Sequence, residues 1–123
     1  DIIEGKFSES GFIENIVVIG ENQKYAGAII IPDFAFLKTW CQKHEISYTT
    51  PQEMIKNPEV KKRYAEEVKK INQNFGDTEK IKRYELIADE WSVGNGILTP
   101  TLKVKRNIVK EKYRDLIEMM YKD

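Results

Sequence analysis

Three cations fall within four positions late in the chain: Lys103, Lys105 and Arg106, in the stretch ILTPTLKVKRNIV at residues 97–109. They follow Thr99 and Thr101, which flank Pro100, and they precede an amphipathic stretch with helical spacing. A helix N-terminus carries partial positive charge, so cations beside one are unfavourable unless an anion is near. Threonine hydroxyls, unpaired backbone N–H groups and lysine ammoniums together suit a phosphate or a carboxylate. A solvated helix entry is the competing reading of the same residues.

Other residues able to do chemistry are more simply structural. His44 is the single histidine and has no Cys or Asp at metal-ligand spacing around it. Cys41 lies on an apolar helical stripe, where a cysteine acts as a small buried hydrophobe. Glu66–Glu67 and Asp89–Glu90 are sequence neighbours, and neighbours on a helix do not face each other, so both pairs read as solvated. KKRY at 61–64 and EEVKK at 66–70 read as the polar side of one amphipathic helix. Tyr64, Phe75, Tyr84 and Tyr113 read as core, and GENQKY at 20–25 as an ordinary polar turn.

The elements that must position the basic segment can be read from pattern. Residues 1–10 suggest a short helix with Ile2, Ile3 and Phe7 on its apolar side. The runs Ile16–Ile19 and Ala26–Ile31 bracket GENQKY and predict a β-hairpin, apolar on both faces and covered by helices. Asp33 caps a helix bearing Leu37, Trp40, Cys41 and Phe34. Thr50, Pro51 and Glu53 form a capping box for a short helix. NPEV at 57–60 starts a longer one carrying Tyr64, Val68, Ile71 and Phe75, which Gly76 stops. IKRYELIAD at 81–89 predicts a third strand with Tyr84, Leu86 and Ala88 on one side. A tight turn at Gly94–Gly96 follows, then a last helix from about Asn107 to Tyr121 with Ile108, Val109, Tyr113, Leu116, Ile117 and Met120 on its apolar face. The order α-β-β-α-α-α-β-α gives an α+β fold in one domain, a small mixed sheet of a hairpin plus a third strand, covered by helices.

Composition narrows the function classes. Twenty Lys and Arg balance twenty Asp and Glu, which disfavours a broad basic face for nucleic acid. The 123 residues can bury a core without disulfides or metals. A single cysteine suits a reducing, cytoplasmic setting. The runs IVVI and AIII are far too short to span a bilayer, and DIIEGKFSES lacks the apolar core of a signal peptide. With nothing before Ile2 and Ile3 to pack against, the chain reads as a fragment of something longer.

Three phrases, in order, resemble one family. IENIVVIGENQKYAGAIIIPDFAFL, IKRYELIADEWSVGNGILTPTLKVKR and LTPTLKVKRNIVKEKYRDLIEMMY resemble the C-terminal lid domain of AMP-forming acyl-CoA synthetases, specifically the long-chain fatty acid branch. The resemblance implies two half-reactions in a full-length ligase: a fatty acid carboxylate attacks the α-phosphate of ATP, then the thiol of CoA attacks the acyl-adenylate. It implies ATP with Mg2+ and CoA as cofactors or substrates, and the protein's own large N-terminal domain as partner. Peripheral membrane association of the full enzyme is compatible with it. It places the family's catalytic lysine at Lys103, with Lys105 as the alternative position. Thr99 and Thr101 are then expected to shape the loop and to contact phosphate, Lys105 and Arg106 are candidates for anion contacts or for docking on the large domain, and no metal ligand is expected in this chain. By the same resemblance, many relatives in the wider superfamily are expected to carry glycine immediately before the lysine, where this chain has Leu102. The hinge, the nucleotide site and the acyl tunnel are expected upstream of Ile2, so the isolated chain is expected to be inactive. Other branches of the superfamily, or a stand-alone module whose KVKR patch binds an acidic partner, are the alternatives.

Overall fold

The computed structural model describes residues 1–122, which divide into two compact units, one from Asp1 to Ala88 and one beginning at Asp89. The first unit opens with helix α1, Ile2–Phe7, capped by the Asp1 carboxylate, which accepts from the Glu4 N–H at 2.7 Å. Phe7 is fully buried, yet Ile2, expected on the same side, is 85% exposed. At about 100° per residue, Ile2 stands roughly 140° around the helix from Phe7, whereas Ile3 stands roughly 40° away.

Strands β1 (Ile13–Ile19) and β2 (Ala26–Pro32) pair antiparallel with Val17 opposite Ile29, as the two apolar runs predict. Strand β3 (Ile81–Leu86) joins β2 in parallel, so β2 lies in the middle of a three-stranded mixed sheet. A parallel neighbour requires a long crossover. Helices α2 (Phe34–Lys43), α3 (Pro51–Met54) and α4 (Pro58–Asn72) supply it. Each starts at its predicted cap. Asp33 accepts from the Phe36 N–H, Thr50 from that of Glu53, and Asn57 from those of Glu59 and Val60. Ile16, Val18, Ala28 and Ile30 form one core with Phe7, Leu37, Cys41, Val60, Tyr64 and Val68. On the opposite face of the sheet Val17, Ile19, Ile29 and Ile31 are buried as well.

Two expectations for this unit need correction. Helix α4 ends at Asn72, not at Gly76. The Asn72 carboxamide turns there to meet both the N–H and the C=O of Ile81 at 2.9 Å, so a side chain holds the start of β3 before any glycine is reached. Glu67 is not solvated like its neighbour Glu66 but only 7% exposed. Its carboxylate accepts from the Ser10 hydroxyl at 2.6 Å and pairs with Arg63 at 3.0 Å. The Arg63 guanidinium in turn covers the Phe12 ring at 4.4 Å.

The second unit buries Trp91, Ile97, Leu98, Val109, Tyr113, Ile117 and Met120. The single long helix expected here is two, α5 (Arg106–Lys112) and α6 (Arg114–Tyr121), separated by Tyr113 at φ −107° and ψ 23°. The break coincides with a tether. The Tyr113 hydroxyl donates to Asp89 at 2.6 Å and accepts from the Trp91 indole N–H at 3.0 Å. Ile108, expected on the apolar face, is 46% exposed. No helix among the described residues is long and apolar enough to cross a membrane.

Candidate functional site

The basic segment is a small hairpin. Leu98 and Val104 form an antiparallel bridge, and the Lys105 N–H donates to the Ile97 C=O at 2.8 Å. Between them the Leu102 N–H donates to the Thr99 C=O, and the Thr99 N–H to the Lys103 C=O, both at 2.8 Å. These two bonds define a three-residue loop, Pro100–Thr101–Leu102, of the kind whose last residue must be left-handed. Leu102 meets that demand at φ 65°, although it is neither glycine nor asparagine and its side chain is 67% exposed.

Thr99 serves the loop from within. Its hydroxyl oxygen accepts from the Lys103 N–H at 3.0 Å and lies 3.1 Å from the Thr101 hydroxyl oxygen. Both main-chain groups of Lys103 are thereby engaged with Thr99, one by the backbone and one by the side chain. Lys103, Lys105 and Arg106 are all exposed. No acidic side chain among the described residues pairs with the Lys103 or Lys105 ammonium.

The structure thus brings Thr99, Thr101 and Lys103 together in one loop, while Lys105 and Arg106 stand on the outgoing arm at the entry to α5. The electrostatic argument from a helix start is weaker than the sequence suggested. Helix α5 has only seven residues, and its cap residue, Lys105, makes no side-chain capping bond. Attraction for an anion rests mainly on the ammonium groups.

Sequence reasoning missed two contributors. One is the left-handed turn at Leu102. The other is Asn95, whose side chain accepts from the N–H groups of Ser92 at 3.1 Å and Ile97 at 3.3 Å and donates to the Glu90 C=O at 2.7 Å. With Gly96 at φ 83°, it folds the turn that delivers Ile97 and Leu98 into the hairpin. The Gly-Asn-Gly stretch was the available signal, since Asn side chains bond their own neighbouring backbone. In the same unit, burial and the Asp89 hydrogen bond push the Tyr113 phenol up to about 12.

This architecture is known elsewhere. The chain belongs to the AMP-binding enzyme C-terminal domain family, which it matches over residues 2–123. It is 32% identical over 122 residues to human long-chain-fatty-acid–CoA ligase 6, a match covering 97% of this chain and 17% of that protein. Long-chain-fatty-acid–CoA ligase FadD15 of Mycobacterium tuberculosis is 26% identical over 121 residues, covering 98% of this chain and 20% of the relative. The chain therefore spans about a fifth or less of the length of these curated relatives. Among solved structures, the adenylation domain of a carboxylate reductase from Mycobacterium chelonae superposes with a TM-score of 0.75 at 18% identity, over 98% of this chain and 17% of the other. The corresponding domain of a carboxylic acid reductase from Segniliparus rugosus, in complex with AMP and a co-purified carboxylic acid, gives 0.71 at 22% identity, again over 98% and 17%. At these identities the two structures establish the fold.

Proposed function

We propose that this chain is the C-terminal domain of a long-chain fatty acid–CoA ligase, and that Lys103 is the residue through which it serves the adenylation half-reaction. The observation that carries the residue assignment is the left-handed Leu102 directly before Lys103. Glycine is the default residue in that conformation, and glycine is what many relatives in the wider superfamily are expected to have before the catalytic lysine. The backbone at 102 thus supports the register that makes Lys103, rather than Lys105, the reacting lysine.

The chemistry suits the group. A fatty acid carboxylate approaches the α-phosphate of ATP, two anions that repel. A bond forms from carboxylate oxygen to phosphorus, pyrophosphate leaves, and negative charge spreads over phosphate oxygens in the transition state. An unpaired ammonium on a flexible stem screens the repulsion and stabilises that charge. Lys105 and Arg106 add positive potential nearby, and Thr101, exposed at the loop tip, is the hydroxyl able to meet a phosphate oxygen. In the second half-reaction the CoA thiol displaces AMP from the acyl-adenylate. Among the described residues no cluster of three or more His, Cys, Asp or Glu side chains could hold a metal ion.

The test uses the full-length protein carrying this chain. Lys103→Ala is expected to lower fatty-acid-dependent ATP–pyrophosphate exchange by about 10²- to 10³-fold, while thioester formation from supplied acyl-adenylate changes little. Lys105→Ala is expected to have a mild effect on both. Equal loss in both half-reactions for Lys103→Ala would assign the lysine a structural role.

A further inference from the structure

We infer that Thr99 is a positioning residue for Lys103, acting through the loop backbone and not by contact with substrate. The inference rests on the reading of Lys103 given above. Thr99 makes every main-chain and side-chain bond that closes the loop. Its C=O accepts from Leu102, its N–H donates to the Lys103 C=O, and its hydroxyl accepts from the Lys103 N–H. The hydroxyl is thus occupied by Lys103 on one side and by Thr101, 3.1 Å away, on the other. Its acceptor side is thereby committed to the loop, while its O–H either donates to Thr101 or is left over, since either hydroxyl can be the donor of that pair.

The bond has a particular job here because the loop carries strain. A leucine at φ 65° is disfavoured relative to the same residue in the extended or right-handed regions. Little side-chain burial compensates, since Leu102 is 67% exposed. A glycine at this position would hold the turn without help. With leucine, the turn must be held by its neighbours, and the Thr99 hydroxyl grips the next residue's N–H. Release of that grip lets residues 102 and 103 relax and moves the Cα from which the lysine stem departs. An ammonium that must reach two anions at once tolerates little such displacement.

The experiment is again ATP–pyrophosphate exchange in the full-length protein, with Thr99→Val, Thr99→Ser, the double variant Thr99→Val/Leu102→Gly, and Lys103→Ala as reference. Valine keeps the branched shape and removes the hydroxyl. The expected result for Thr99→Val is an exchange kcat lower by about tenfold, with KM values for ATP and fatty acid near wild type and thioester formation from supplied acyl-adenylate preserved. Thr99→Ser is expected to restore exchange to within about threefold of wild type, because it keeps the hydroxyl oxygen. The double variant is expected to recover part of the loss, because glycine forms the turn unaided. Wild-type exchange in Thr99→Val, or a double variant no better than Thr99→Val, would overturn the inference. A raised KM for ATP with unchanged kcat would overturn it too, since that marks a phosphate contact. A Thr99→Val protein that fails to fold leaves the serine variant to decide: a loss of exchange of tenfold or more there speaks against the hydroxyl's role. If Lys103→Ala itself retains exchange, the reading of Lys103 fails first, whatever Thr99 does.

Discussion

At the scale of single residues, Leu102 is the most informative position in the chain. Its left-handed backbone is held by three hydrogen bonds of Thr99, two from the main chain and one from the hydroxyl, not by any preference of leucine. Leu102→Gly is therefore expected to leave the stability of the chain unchanged or raise it by up to about 1 kcal/mol, the relief of strain being offset by the greater freedom of glycine when unfolded. Leu102→Ile is expected to lower it by about 1–2 kcal/mol, because a β-branched side chain crowds a left-handed backbone most. Urea unfolding of the three chains measures both. Equal midpoints for leucine and isoleucine would mean that the turn is not strained. None of this was legible in TPTLK read alone, which reads as the entry to a helix and carries no glycine or asparagine to mark a left-handed residue.

At the scale of elements, the N-cap residues of α2, α3 and α4 were read correctly because each is a local event. Asp33, Thr50 and Asn57 reach backbone N–H groups two or three residues on, and sequence displays such spacing directly. The seam between α4 and the segment before β1 was not legible, because its partners are more than fifty residues apart. Tyr64 donates its hydroxyl to the Phe12 C=O at 2.6 Å, and Glu67 accepts from Ser10. Burial and the nearby Asp33 hold the Tyr64 phenol protonated far above its ordinary range. Tyr64→Phe keeps the ring and removes one of two donors to the Phe12 C=O, which retains the Asp33 N–H at 3.0 Å, so a loss of about 0.5–1.5 kcal/mol is expected in urea unfolding. No loss would mean that water replaces the phenol and that the ring alone seals the seam.

At the scale of the whole molecule, the buried tyrosines are expected to weaken the fold at alkaline pH. A phenol whose folded pKa is raised is favoured in its neutral form by the fold. Its contribution to stability is complete below the unfolded tyrosine value near 10 and is lost as pH rises through the folded value. For Tyr113 that window runs from about 10 to about 12, and Tyr64 and Tyr84 shift in the same direction. Stability is expected to fall steadily above pH 10. Tyr113→Phe should lower stability at pH 8, where Asp89 and the Trp91 N–H lose their partner, and the gap to wild type should narrow as pH rises to 11. Denaturant midpoints at three pH values check this. A constant gap would mean that Tyr113 titrates no later folded than unfolded.

The sequence by itself determined most of the elements, the N-caps of α2, α3 and α4, the mixed α+β order and the segment in which the chemistry is sought. Those follow from apolar period, from cap residues and from the crowding of Lys103, Lys105 and Arg106 after two threonines, all of which act over a few residues. Only the tertiary structure decided that Glu67 is an anchor and not a solvated charge, that the last helix breaks where Tyr113 is tethered, and that Asn72 rather than Gly76 turns the chain into β3. It also decided that the Thr99 hydroxyl accepts from the Lys103 N–H. In each case the partner is set by how the backbone closes in space, and the free energy of a polar group depends on what stands within about 3 Å of it, which spacing along a chain does not encode.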